Sequence, residues 1–67
     1  MSETTYTVTG MTCGHCVASV TEEVQEIAGV TDVVVDLASG RLTVTSAEPL
    51  DVAVVRAAVE EAGYGLS

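Results

Sequence analysis

Residues 30–45 read VTDVVVDLASGRLTVT, and the alternation in this stretch predicts a β-hairpin. Apolar residues occupy every second position on both sides of a central Ser39-Gly40: Val33, Val35, Leu37, Leu42 and Val44. A period of two places alternate side chains on one face of an extended chain. Because Ser-Gly favours a tight turn, residues 30–37 and 41–45 are predicted to be antiparallel partners.

The segments before the hairpin predict one strand and one helix. Residues 4–9 (TTYTVT) alternate threonine with Tyr6 and Val8, which is typical of a half-buried strand. Residues 14–28 carry apolar side chains at spacings of three and four: Val17, Val20, Val24 and Ile27. This is the pattern of an amphipathic helix, and Ala28-Gly29 is expected to end it.

The segment after the hairpin predicts a second helix and a very short strand. Pro49 blocks extension of the hairpin, and Asp51 is a suitable N-cap. An apolar stripe follows at helical spacing: Val52, Val55, Val59 and Ala62. Gly63 ends this helix, so only residues 64–67 remain for a closing strand. The order of elements predicts an α+β ferredoxin-like βαββαβ sandwich, an antiparallel sheet with two helices on one face.

Length and charge limit the function. The chain has 67 residues, which predicts a single domain over residues 1–67 with a modest core. Ten acidic residues face only two arginines, giving a formal net charge of −8. Nucleic acid is excluded as a partner because phosphate binding needs clustered cations, and an anionic membrane surface would repel the domain.

The start of the chain, MSETTYTV, lacks the basic and apolar regions of a secretory signal, and no window has the roughly 20 apolar residues of a membrane span. We therefore expect a cytoplasmic protein with no membrane insertion. Thiols are normally kept reduced in that compartment. The cysteines of the chain are thus expected to be available as thiols.

Residues 10–16 (GMTCGHC) contain the only two cysteines, at the entrance to the first predicted helix. Unsatisfied backbone N–H groups at that position favour a thiolate on Cys13 and Cys16. Residues three apart on a helix have Cβ atoms about 5–6 Å apart, and two metal–sulfur bonds end to end would separate the sulfurs by about 4.6 Å. A linear two-sulfur metal fits this spacing, and soft thiolates select copper(I).

Three other uses of the cysteine pair stay open. Structural zinc takes four ligands, and the chain offers only Cys13, Cys16 and His15 close together, so a zinc site requires a second chain. A thioredoxin-like redox pair also uses C-x-x-C at a helix N-terminus, but the chain is too short for the usual scaffold. A disulfide would close a very small loop and remove little unfolded-state entropy.

The motif GMTCGHC, in this order of elements, resembles the heavy-metal-associated domain family, and within it the free-standing bacterial copper chaperones. The resemblance covers essentially the entire chain. It implies that Cys13 and Cys16 bind one Cu(I) and pass it to similar domains of a copper-exporting P-type ATPase, without enzyme activity. A mercury(II)-binding protein would use the same thiols. The metal-free form is expected to be a monomer, with a copper-bridged dimer as the alternative for the loaded form.

The resemblance also implies roles for residues around the pair. Met11 is expected to pack beneath the loop rather than bind metal. Tyr64, in the loop after the second helix, either caps the site or only packs against the end of the sheet. His15 either remains solvated or tunes the thiols and contacts a partner's copper. Thr12 is predicted as the N-cap of the first helix.

Overall fold

The structure is a computed structural model that describes residues 1–12 and 14–67. Its elements follow the predicted order: β1 (Ser2–Thr9), α1 (Gly14–Gln25), β2 (Val30–Asp36), β3 (Arg41–Ser46), α2 (Val52–Glu61) and β4 (Gly65–Leu66). The strands form one sheet in the order β2-β3-β1-β4, with antiparallel neighbours throughout. The predicted ferredoxin-like fold is confirmed.

The core lies between one face of the sheet and the two helices. It is built from valine and leucine side chains that are at most 4% exposed: Val8, Val20, Val24, Leu42, Val44, Val55 and Val59. The buried residues of β1 and β3 are all even-numbered (Val8, Leu42, Val44 and Ser46), whereas Thr4, on the same face of β1, is exposed. The alternate residues of the strands and the residues at helical spacing in the helices therefore pack together in one small apolar core.

Helix α1 ends earlier than predicted, at Gln25 instead of Ala28. Its last turn tightens because Glu26 N–H donates to Glu23 O and Ile27 N–H donates to Val24 O, both three residues back. Gly29 then takes a φ of 90°, as expected for the residue that redirects the chain.

The hairpin turn is also longer than predicted, because β2 stops at Asp36 and residues 37–40 make the turn. The Asp36 carboxylate accepts a hydrogen bond from Ala38 N–H at 3.0 Å, and its carbonyl accepts one from Gly40 N–H at 2.9 Å. Gly40 has a φ of 73°, and a Cβ there would lie 2.8 Å from Val8 O. Only glycine fits this approach to β1.

Helix α2 begins at Val52, and Asp51 caps it by accepting a hydrogen bond from Ala53 N–H at 2.9 Å, as predicted. The predicted apolar stripe is wrong at its first member. Val52 is 44% exposed, whereas Val55 and Val59 are fully buried. The first turn of α2 lies at the edge of the small core, so a side chain on its inner face is only partly covered.

Folding changes the proton affinity of the Glu23 carboxyl. Desolvation by partial burial, followed by repulsion from Glu26, Glu61 and Glu22, raises the pKa of its carboxyl above the ordinary 4.5. The folded chain therefore holds the Glu23 proton more tightly than the unfolded chain does. Stability is lost as pH rises from 4.5 through this raised pKa, and the penalty is fully present above it.

We expect Glu23→Gln to raise the unfolding temperature of the metal-free protein at pH 7, because it removes a charge that the fold disfavours. Near pH 4.5 the gain should shrink, since the wild-type carboxyl is then partly protonated. Thermal unfolding at both pH values measures this. Glu3→Gln removes the same charge from an exposed site on β1, and equal effects of the two substitutions at pH 7 would contradict the prediction.

Candidate metal centre

The cysteine motif connects β1 to α1, as predicted. Gly10 turns the chain away from β1 with a φ of 92°, and α1 begins four residues later at Gly14. Cys13, one of the two predicted metal ligands, lies outside the described residues. Cys16 is the third residue of α1 and only 7% exposed. Its sulfur is thus in the first helical turn, where unpaired N–H groups favour negative charge.

The Cys16 sulfur has a neighbour that sequence analysis missed. The hydroxyl oxygen of Thr12 lies 3.9 Å from Cys16 Sγ, in a partly buried contact in which either atom can donate. Thr12 was predicted as the N-cap of α1; its hydroxyl contacts the side chain of Cys16 in the first turn, and the capping role stays a prediction. The spacing of four residues was the available signal, since it brings side chains on one helix face together.

Met11, which precedes the cysteine pair, and His15, which lies between the two cysteines, differ in burial. Met11 is partly buried and packs against the hydrophobic core, in the place expected of a supporting residue. His15 is exposed at the second residue of α1. Within residues 1–12 and 14–67, no three His, Cys, Asp or Glu side chains gather as a metal site. The roles of Met11 and His15 toward a metal stay predictions.

Tyr64 is held beside the motif by the C-terminal end of α2. Gly63 has a φ of 96°, its N–H donates to Glu60 O, and Tyr64 N–H donates to Val59 O. These two bonds form a Schellman motif, which fixes the direction of the chain after a helix. The half-buried Tyr64 ring then lies over Gly10, since a Cβ on Gly10 would be 3.5 Å from Tyr64 Cδ1.

The donor set of the motif suits a soft metal ion. Cys16 supplies a sulfur that is shielded from water, and the resemblance assigns the second sulfur to Cys13. Thiolate sulfur selects Cu(I) and other soft ions over hard cations such as Mg²⁺ and Ca²⁺. No helix in the described part of the chain has the length and apolar character needed to cross a membrane.

Comparisons with known proteins agree with this geometry. The chain is 37% identical over 68 residues to the copper chaperone CopZ of Bacillus subtilis (strain 168), covering 100% of this chain and 99% of that protein. It is 42% identical over 57 residues to copper-transporting ATPase 1 of Rhizobium meliloti (strain 1021), covering 85% of this chain but only 7% of the ATPase.

A solved structure described as a CopZ metallochaperone superposes with a TM-score of 0.92 at 33% identity, covering 98% of this chain and all of that one. The model of the heavy-metal-associated domain matches residues 5–65, from the middle of β1 into β4. The match therefore includes both helices, the hairpin strands β2 and β3, the cysteine motif, and part of β1 and of β4. The chain belongs to the heavy-metal-associated domain family.

Proposed function

We propose that this protein is a cytoplasmic copper(I) chaperone. It binds one Cu(I) through the thiolates of Cys13 and Cys16 and delivers the ion to the similar domains of a copper-exporting P-type ATPase. The observation that carries the proposal is the enclosed sulfur of Cys16 in the first turn of α1, in a chain similar over its full length to a copper chaperone.

The surroundings of Cys16 support tight binding of a monovalent soft ion. Burial of the side chain limits access of water and competing ligands, and the N–H groups of the first turn stabilise negative charge on sulfur. Two thiolates carry a net charge of −1 with Cu(I), so the site does not need further anionic ligands. Thr12 contributes a hydroxyl at 3.9 Å that can donate to the Cys16 thiolate.

The same burial suggests an order for the handover of copper. A two-coordinate ion has room for a third sulfur, so a partner's cysteine can bond before either original bond breaks. Because Cys16 is nearly enclosed, the incoming sulfur must approach from the solvent side of the ion. The bond to Cys16 is therefore expected to break last. Copper is never released into water during this exchange.

The neighbours of the pair have supporting roles in this proposal. Met11 anchors the motif to the core, and Tyr64 restrains Gly10 at its start. His15, exposed beside Cys16, faces the approaching partner.

The protein is a carrier and does not turn over a substrate. We propose one domain over the whole chain and a monomeric metal-free form, with a copper-bridged dimer as the alternative after loading.

Copper transfer tests the function directly. The copper-loaded protein is mixed anaerobically with the metal-free domain of Rhizobium meliloti copper-transporting ATPase 1 that matches this chain, the two are separated, and copper is measured on each. We expect copper to distribute between them within minutes, because the two domains are similar in sequence. Retention on this protein over that time would indicate storage and contradict the chaperone proposal.

Controls separate the other uses of the cysteine pair. A Cu(I)–chelator complex is used as the control donor, at the same copper concentration as the loaded protein. Copper should reach the ATPase domain more slowly from this complex than from the protein. The metal-free protein is also given mercury(II) and zinc in competition with Cu(I). Preferential binding of mercury(II) or of zinc would favour a mercury-binding or a zinc-binding protein, respectively. Turnover of a disulfide substrate by the metal-free protein would support a thiol oxidoreductase instead.

A further inference from the structure

We propose that Thr9 is a positioning residue for the metal site, acting through β4 and Tyr64 to slow the loss of copper. This inference rests on the proposed function and names a regulation of the same site. Thr9 is the last residue of β1, immediately before the motif. Its side chain binds β4, the strand that directly follows Tyr64.

Two observations place the Thr9 hydroxyl directly over β4. Thr9 Oγ1 donates a hydrogen bond to Gly65 O at 3.3 Å. A Cβ on Gly65 would lie only 2.7 Å from the same oxygen, so the close approach requires glycine. The hydroxyl thus occupies the space that a side chain at position 65 would fill. We call this contact between Thr9 and Gly65 the β4 clasp.

The β4 clasp matters because β4 is only two residues long and forms few hydrogen bonds, although its Leu66 also packs against the core. β4 consists of Gly65 and Leu66, which pair with Thr9 and Val8, and Ser67 N–H adds one further bond to Thr7 O. A strand this short forms few ladder bonds, so one side-chain hydrogen bond is a substantial part of its attachment to β1. Losing the clasp should let β4 separate from β1 more often.

Tyr64 transmits the state of β4 to the motif. Tyr64 is the last residue of the Schellman motif of α2 and directly precedes β4. Its ring rests against Gly10. When β4 is attached, the ring is fixed from both sides and restrains the start of the loop that carries the cysteines. When β4 separates, the ring loses the restraint from β4, and the loop can open toward a competing ligand.

The experiment measures how quickly a high-affinity Cu(I) chelator removes copper from the loaded protein under anaerobic conditions. The step is a ligand exchange, in which copper–sulfur bonds break and copper–chelator bonds form without change in oxidation state. We expect Thr9→Val to accelerate removal by about two- to tenfold, the range corresponding to the net contribution of one neutral hydrogen bond. Gly65→Ala should do the same by displacing the hydroxyl.

Matched variants distinguish positioning from general destabilisation. Thr9→Ser keeps a hydroxyl and should restore most of the wild-type rate. Thr7→Val makes the same change on the same face of β1, where the contact to Ser67 uses only the backbone, and it should leave the rate unchanged. Equal rates for Thr9→Val and Thr7→Val, with copper still bound by the wild type, would overturn this inference alone.

The route through Tyr64 is tested separately. In a Tyr64→Ala background, Thr9→Val should accelerate copper loss no further; an undiminished acceleration would contradict the proposed route. The chain has two tyrosines, no phenylalanine and no tryptophan, so ring-current shifts of the Gly10 α-protons report Tyr64 with little overlap. These shifts should diminish in Thr9→Val and remain in Thr7→Val. If the wild type binds no copper, the proposed function itself fails.

Discussion

Leu42→Ala should leave the domain close to unfolding. Leu42 is fully buried in β3, at the centre of the core, and pairs with Tyr6 on one side and Val35 on the other. Removing a buried leucine side chain costs about 2–5 kcal/mol through lost burial and the resulting cavity. A domain of 67 residues has a total stability of roughly 3–10 kcal/mol. Urea unfolding of the metal-free, reduced protein measures the change.

Leu37→Ala is the matched control for this prediction. Leu37 lies in the hairpin turn and is 39% exposed, so the same substitution should cost below about 1 kcal/mol, as is usual outside the core. Both variants remain in the same hairpin and leave the cysteines intact. If the two losses were similar, the small valine-leucine core would not be the source of stability, and the packing described above would be wrong.

The hairpin shows how much of this fold follows from local sequence. Its alternating residues predict both strands, the inward face and the antiparallel pairing, and the structure agrees at Val33, Val35, Leu42 and Val44. The buried members of the helical stripes, Val20 and Val24, are equally predictable. These features are fixed by side-chain periodicity within one element, which a sequence displays directly.

Element ends were predicted less well because they depend on partners far along the chain. Residues 2 and 3 carry no apolar alternation, yet β1 begins at Ser2 because its backbone pairs with β3 as far as Ser46. The early end of α1 follows from bonds to carbonyls three residues back rather than four. Hydrophobic periodicity does not show how far one strand pairs with another that is distant in sequence, or which hydrogen bonds form at the end of a helix.

The candidate site shows the same division. The helix-terminal position of Cys16 followed from sequence because a glycine-bounded strand and an amphipathic helix flank it. The contact of Thr9 with Gly65 and that of Tyr64 with Gly10 join residues more than 50 positions apart, and the fold alone brings them together. The family resemblance placed Tyr64 near the motif, whereas glycine at position 65 was the only signal for the contact with Thr9.

Cys16→Ser should lower the affinity for Cu(I) by well over about 100-fold. Substitutions of residues that only support the metal ligands typically lower the affinity by up to roughly 100-fold. A hydroxyl is a harder and far less acidic donor than a thiol, so it cannot replace a thiolate on Cu(I). Cys13→Ser should have an effect of the same order. His15→Ala changes a residue between the two ligands and should stay within the smaller range.

The folding of the Cys16 variant requires its own control, because serine would place a hydroxyl at a position only 7% exposed. Burying an unpaired hydroxyl costs about 1–3 kcal/mol. Cys16→Ala removes the sulfur without adding a polar group and should lose copper to the same extent. Circular dichroism of both metal-free variants verifies that they retain the wild-type fold.

Anaerobic titration of Cu(I) against a competing chelator is the most direct measurement of the central claim. The wild type should hold one Cu(I) for each chain in competition with the chelator, whereas Cys13→Ser, Cys16→Ser and Cys16→Ala should yield the ion completely. Full wild-type affinity in any one of these folded variants would contradict binding by the paired thiolates.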